Sequence, residues 1–130
     1  MLEPGTIGKV EFKVAENCTA KAMGSGTLEV LATPMMIAML EKAAWTAVQP
    51  YLEDGSGTVG TLMNVTHDAA TPIGMQVTCT AELIEVAGRK LVFSVEAFDE
   101  TGRIGGGTHE RFIVWNQKFT DKTYKKLEKI

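Results

Sequence analysis

The stretch Thr33-Pro34-Met35-Met36-Ile37-Ala38-Met39-Leu40-Glu41-Lys42-Ala43-Ala44-Trp45-Thr46-Ala47-Val48 decides the fold of this chain. It reads as one helix. Thr33 is a plausible N-cap, Pro34 suits the first helical position, and Gln49-Pro50 marks the end. The run is apolar nearly all round, so it belongs inside a protein. Glu41 and Lys42 are its only charges. Neighbouring helix positions point about 100° apart, so at most one of the two escapes easily to solvent. Lys42 can snorkel along its own methylenes. Glu41 lies nearest Ile37, Ala38, Ala44 and Trp45 on the helix surface. A buried carboxylate is costly unless paired, so Glu41 marks a candidate functional site.

On either side of this helix the apolar period changes to two. Gly8 to Val14 reads as a first strand, followed by an irregular segment, 15–27, and a short extended piece, Leu28 to Leu31. After the loop Glu53-Asp54-Gly55-Ser56-Gly57, the alternation from Thr58 puts Val59, Thr61, Met63, Val65 and His67 on one face, with Thr58, Gly60, Leu62, Asn64 and Thr66 on the other. Met75 to Val86, Lys90 to Phe98 and Thr108 to Asn116 alternate in the same way. They are separated by turns at Ala87-Gly88 and Asp99-Glu100-Thr101-Gly102. Four consecutive alternating strands with short turns make an antiparallel sheet. One long apolar helix and one such sheet leave a single economical α+β arrangement, with the sheet curled around the helix. The sheet's other face carries Leu62, Val92, Phe98, Phe112 and Val114, which is much apolar surface for a monomer to expose.

The 130 residues are enough for one domain, taken as 1–130, and too few for two. At a net charge of −3 with no basic stripe, nucleic acid is not the expected partner. Lys118, Lys122, Lys125, Lys126 and Lys129 are balanced in part by Asp121 and Glu128 and read as a solvated helix face. Cys18 and Cys79 lie far apart, without metal-ligand spacing. Reduced thiols and a cytoplasmic location are expected. Met1-Leu2-Glu3-Pro4-Gly5 has neither the charged nor the apolar region of a signal peptide, and no long charge-free apolar run predicts a membrane span.

Each remaining candidate has a plain reading beside a functional one. His67 ends a strand, where a lone histidine is more often a satisfied core or edge residue. Thr33 alone is a helix cap. Arg111 shares a face with His109 and Trp115, and its plain reading is a surface or interface salt bridge. Gly105-Gly106-Gly107 lies in a strand pattern with no helix after it, so it is no phosphate loop. A bulge or a close backbone approach explains it better. There is no metal-ligand cluster and no dinucleotide fingerprint.

Taken together the pattern is more specific. Thr33 and Glu41 around the helix start, Pro50-Tyr51-Leu52-Glu53, Gly60-Thr61, Val65-Thr66-His67, Ala70-Thr71-Pro72 and Gly107-Thr108-His109-Glu110-Arg111 occur in order. They resemble the hotdog-fold thioesterases related to fluoroacetyl-CoA thioesterase. The resemblance implies a long helix wrapped by an antiparallel sheet, and subunits paired as a homodimer with sites at the interface. By motif, Thr33, Glu41 and His67 resemble the family's catalytic threonine, glutamate and histidine. Gly60 matches a glycine beside the acyl group, and Arg111 the arginine that completes the pocket. The chemistry is compatible: thioester hydrolysis needs an activated nucleophile, a proton acceptor and donors for the developing oxyanion. The phenylalanines that form a lid in the fluoroacetyl-specific enzyme have no counterpart in 20–28, Ala-Lys-Ala-Met-Gly-Ser-Gly-Thr-Leu.

The expected function is therefore hydrolysis of a short or medium acyl-CoA other than fluoroacetyl-CoA, without metal or redox cofactor, coenzyme A being part of the substrate. A non-catalytic acyl-CoA binding module would need the cleft but not the three candidate catalytic groups. A hydratase of the same fold would pair an aspartate with a histidine on a spacing absent here.

Overall fold

A computed structural model describes residues 1–130. Strand β1 spans Ile7–Lys13, and short helix α1 spans Ala20–Met23. The long helix α2 covers Thr33–Val48. Strands β2 to β5 follow as Ser56–His67, Gln76–Ala87, Lys90–Asp99 and Gly102–Trp115. Helix α3, Asn116–Tyr124, leads into a final 3-10 turn, Lys125–Lys129. The strands form one antiparallel sheet in the order β1-β3-β4-β5-β2. The α+β arrangement read from the sequence is the one observed.

The helix packs through a stripe of Met36, Leu40, Ala43, Ala44 and Val48, each fully buried. It meets the inward residues of β3 and β4, namely Val77, Cys79, Ala81, Leu83, Leu91, Phe93, Val95 and Ala97, which are equally buried. Each large side chain here stabilises the fold by about 1.5–3 kcal/mol relative to exposure. Gly8 in β1 lets the helix come close, because a Cβ there would run into the Ala43 carbonyl. Burial pushes the Cys79 thiol up to about 12, so it behaves as a small apolar side chain.

Three expectations change. The helix is not covered all round: Pro34, Ala38, Lys42 and Trp45 form an open flank, because the sheet wraps only one side. The glycine run lies within β5, which starts at Gly102. Close backbone approach explains it, since a Cβ on Gly105 would strike the Thr66 carbonyl and one on Gly107 the Asn64 carbonyl. On the outer face, Leu62 is exposed, while Val92, Phe98, Phe112 and Val114 are half-buried. The Arg89 guanidinium lies over the Phe112 ring, 5.0 Å from its centre, and covers part of that face.

The two sheet edges differ in chemistry. The outer strand β1 carries Lys9, Glu11 and Lys13, charges that discourage further strand pairing. Strand β2 has no lysine, arginine, aspartate, glutamate or proline along its 12 residues. Its outer edge is open and unguarded.

Candidate active site

The site residues reach one face through an irregularity in β2. In a flat strand Gly60 and His67 are an odd number of positions apart and point to opposite sides. The pairing with β5 slips at Thr61: Gly60 is opposite Arg111, and Leu62 is opposite Glu110. One extra residue on β2 reverses the alternation beyond it. As a result Thr58 and Gly60 before the bulge share the inner face with Met63, Val65 and His67 after it. The single-face assignment of Val59 through His67 therefore fails at Thr61.

Around Gly60 the side chains form a connected group. Arg111 donates from Nη1 to Glu41 Oε2 at 3.2 Å, from Nε to Thr58 Oγ1 at 2.8 Å and from Nη2 to the Thr58 carbonyl at 3.0 Å. The same Nη1 lies 3.1 Å from His109 Nε2, while His109 Nδ1 lies 2.8 Å from the Leu62 carbonyl. The carbonyl and the guanidinium fix the tautomer: His109 donates from Nδ1 and accepts at Nε2. His109 is 1% exposed and stacks against Phe93, with ring centres 6.0 Å apart. Burial lowers its pKa below the ordinary 6.5, with the neighbouring Arg111 charge acting in the same direction. A Cβ on Gly60 would lie 2.5 Å from Glu41 Oε2 and 3.2 Å from Arg111 Nη1. Glycine is what lets the carboxylate lie against the strand.

These contacts correct two readings. Glu41 is not a buried carboxylate, since 40% of its side chain is exposed. It sits at the border of the open flank of α2 and is paired. Arg111 is not a surface ion-pair partner, because its side chain is only 7% exposed and spends its donors on three residues. Sequence reasoning did not single out His109 and Thr58. Their signal was position: His109 lies two residues before Arg111 on the same strand face, and Thr58 is two before Gly60.

The second group lies at the N-terminal end of α2. Thr33 is not the N-cap expected of it: Ala32 takes that place, Thr33 is the first helical residue, and its Oγ1 is hydrogen-bonded to His67 Nδ1 at 2.8 Å instead of to the helix backbone. His67 Nε2 is buried and has no hydrogen-bond partner. Burial lowers the His67 pKa, opposed by the Ala69 backbone and the Asp68 charge. A groove of about 240 Å³ opens here, lined by Leu31, Thr33, His67 and Ala69, with Ala20 and Ser25 from the preceding segment. A neutral imidazole joined to a hydroxyl at a helix start is suited to take up a proton and to favour an anion nearby.

The structure thus joins Thr33 with His67, and Glu41 with Gly60 and Arg111, but keeps the two groups apart. Thr33 and Glu41 are eight residues apart on one helix, a rise of about 12 Å. That is too far for both groups of one subunit to act on one carbonyl.

The sequence matches the family described as fluoroacetyl-CoA-specific thioesterase over residues 14–117. It is 49% identical over 98 residues to the fluoroacetyl-CoA thioesterase of Streptantibioticus cattleyicolor, covering 75% of this chain and 70% of that protein. The fold superposes on a variant of the fluoroacetyl-CoA thioesterase FlK in complex with acetyl-CoA. The TM-score is 0.92 at 39% identity, covering 96% of this chain and 98% of the other. A hot-dog-like protein from Thermanaerovibrio acidaminovorans shares the fold, with a TM-score of 0.87 at 23% identity over 96% of this chain and 93% of that one. With most of its length matched in sequence and in structure, this chain belongs to the fluoroacetyl-CoA-specific thioesterase family and is a thioester hydrolase of the hotdog fold.

Proposed function

We propose that residues 1–130 act as one hotdog domain that hydrolyses short or medium acyl-CoA thioesters to the free acid and coenzyme A, with no preference for fluoroacetyl-CoA. The observation that carries the catalytic reading is the Thr33–His67 pair at 2.8 Å, with Nε2 buried and unpartnered beside a groove. In this reading neutral His67 accepts the proton of the attacking hydroxyl, whether from Thr33 or from water. Glu41, held by Arg111, acts on the same reaction centre, and Gly60 leaves room for the acyl group beside it. The acyl preference rests on the segment 20–28. Ala20 and Ser25 line the groove, and none of the segment's residues is aromatic, so larger groups and water have access.

The separation of the two groups leads to a homodimer. The edge of β2 is open and uncharged, so antiparallel pairing with a second β2 is its natural cover. Pairing centred on Asn64, with Thr61 left out of register as the bulge residue, sets Gly60 opposite His67 of the partner subunit and keeps inner-face residues opposite one another. The Glu41–Arg111 group of one subunit then meets the Thr33–His67 pair of the other, and the dimer holds two shared sites. The open flank of α2, with Ala38 and Trp45, lies free to be covered by the same association.

Release of free thiol from a panel of acyl-CoA esters tests the activity. Mixing tests the shared site. Glu41→Ala and His67→Ala subunits are each inactive alone, but a mixed dimer regenerates one intact site of two. Unfolding and refolding an equal mixture should therefore restore roughly a quarter of wild-type activity, from random pairing. No restoration, with mixed dimers demonstrably present, places both groups of each site in one subunit.

A further inference from the structure

At the end of the β2–β5 ladder, away from the Thr33–His67 pair, lies a groove of about 170 Å³. It is lined by Arg89, Val114, Trp115, Lys118, Phe119 and Lys122. Three cations and two aromatic rings surround it, with no carboxylate among them. None of the three cations stands in an ion pair, whereas Lys9, Lys21, Lys90, Arg103 and Arg111 all do. The setting sharpens the contrast. Residues 1–115 carry 8 lysines and arginines against 14 acidic residues, while 116–130 carry five lysines against two. The basic pole of an acidic protein is thus gathered at one place.

The sequence builds this pole deliberately close to β5. Helix α3 starts straight after Trp115, and the Asn116 amide donates to the Gly55 carbonyl at 2.9 Å. Gly57 leaves space for the Asn116 side chain, since a Cβ there would lie 2.7 Å from its Oδ1. Arg89 is set by the β3–β4 turn and by its stacking over Phe112. No residue of α3 is buried, so packing does not account for its aromatic and basic side chains. Arg89, Val114 and Trp115 also line an adjoining, mainly apolar groove of about 290 Å³ that includes Tyr51, Ser56 and Ile113. Ile113 is paired with Thr58, the residue that holds Arg111. Trp115 and Arg111 are four strand residues apart, about 13 Å, a span within reach of an extended pantetheine arm.

We propose that this groove between α3 and the β3–β4 turn seats the phosphorylated adenosine of the coenzyme A thioester, with the adjoining groove carrying the pantetheine arm towards Arg111. Arg89, Lys118 and Lys122 meet the phosphates, the guanidinium as a two-pronged donor and the ammonium groups as point charges. Trp115 and Phe119 offer ring faces to the adenine. The inference rests on the acyl-CoA reading above. It adds a site in which the nucleotide, rather than the acyl group, is recognised.

The test compares two substrates with the same acyl group, acyl-CoA and acyl-pantetheine, which lacks the nucleotide. The wild type should favour acyl-CoA through KM. In the Arg89→Ala/Lys118→Ala/Lys122→Ala variant the KM for acyl-CoA should rise by about tenfold or more, and the preference for acyl-CoA should collapse. Calorimetric titration with adenosine 3′,5′-bisphosphate supplies a readout that needs no turnover. It should saturate with wild type, and the variant should lose it while keeping its melting temperature. Equal losses on both substrates, an unchanged KM for acyl-CoA, or inorganic phosphate binding as tightly as the bisphosphate would overturn the nucleotide site. So would association of the wild type with anionic phosphatidylserine vesicles that the bisphosphate does not displace. Failure of the wild type to hydrolyse any thioester, with bisphosphate binding intact, counts against the acyl-CoA hydrolysis instead.

Discussion

Replacing Gly60 by alanine adds a single methyl group where the structure leaves none free. The new Cβ would lie 2.5 Å from Glu41 Oε2, against an ordinary contact limit of 3.4 Å, so the carboxylate must move by about 1 Å. Arg111 Nη1 at 3.2 Å and His109 Cε1 at 3.4 Å have less to give. Glu41 can swing into solvent, because 40% of its side chain is already exposed. The fold should therefore hold, within about 1 kcal/mol of wild type, the methyl also reducing the freedom of the unfolded chain. Catalysis should not. A misplacement of about 1 Å at a reacting group costs ~10²-fold, and the displaced carboxylate also leaves Arg111 partly unpaired. Thiol release should show a fall of about a hundredfold in kcat, while thermal melting shifts little. Near-normal kcat in a folded Gly60→Ala protein would refute the placement of Glu41 at the reaction centre.

Five further outcomes are expected. His67→Ala should lower kcat by ~10²–10⁴-fold with little change in acyl-CoA affinity, and a matched loss of both would assign His67 to binding. Since burial holds His67 below its ordinary value, the active neutral form persists into mild acid, and the acid limb of kcat/KM should fall at a pH below 6.5. His109 is likewise depressed in the fold, so the unfolded chain takes up the proton first. Its contribution to stability should be full above about pH 6.5 and shrink as the pH falls below that, and in His109→Phe this part of the pH dependence of melting should vanish. Arg111→Leu should destabilise by ~2–4 kcal/mol, because Thr58 and His109 lose their donor, and denaturant titration reads this directly. A charge in the β2 edge, Met63→Lys, should leave a 14.1 kDa monomer in sedimentation, with activity lost. A fully active monomer would contradict the shared site.

Much of this molecule is written in local pattern. The apolar run from Met35 to Val48, with Pro34 near its start, specified α2 to within one residue, the N-cap being Ala32 rather than Thr33, because a helix start and its buried stripe are matters of short-range geometry. The alternation of Val77, Cys79, Ala81 and Leu83, and of Leu91, Phe93, Val95 and Ala97, named the buried face of the sheet for the same reason. The motif blocks identified the candidate groups Thr33, Glu41, Gly60, His67 and Arg111 as residues. Their arrangement came from the tertiary structure. The extra residue at Thr61 depends on how β2 is paired with β5, and pairing between strands far apart in sequence leaves no local trace. That slip turns His67 to the side of Gly60. The exposure of Glu41 was hidden for a similar reason. An apolar helix looks the same whether a sheet covers all of it or one side, and only the packed sheet shows that the flank next to Glu41 stays open. Arg111, legible as a charge on a strand, became a buried hub because Thr58, His109 and Glu41 converge on it from three separate elements.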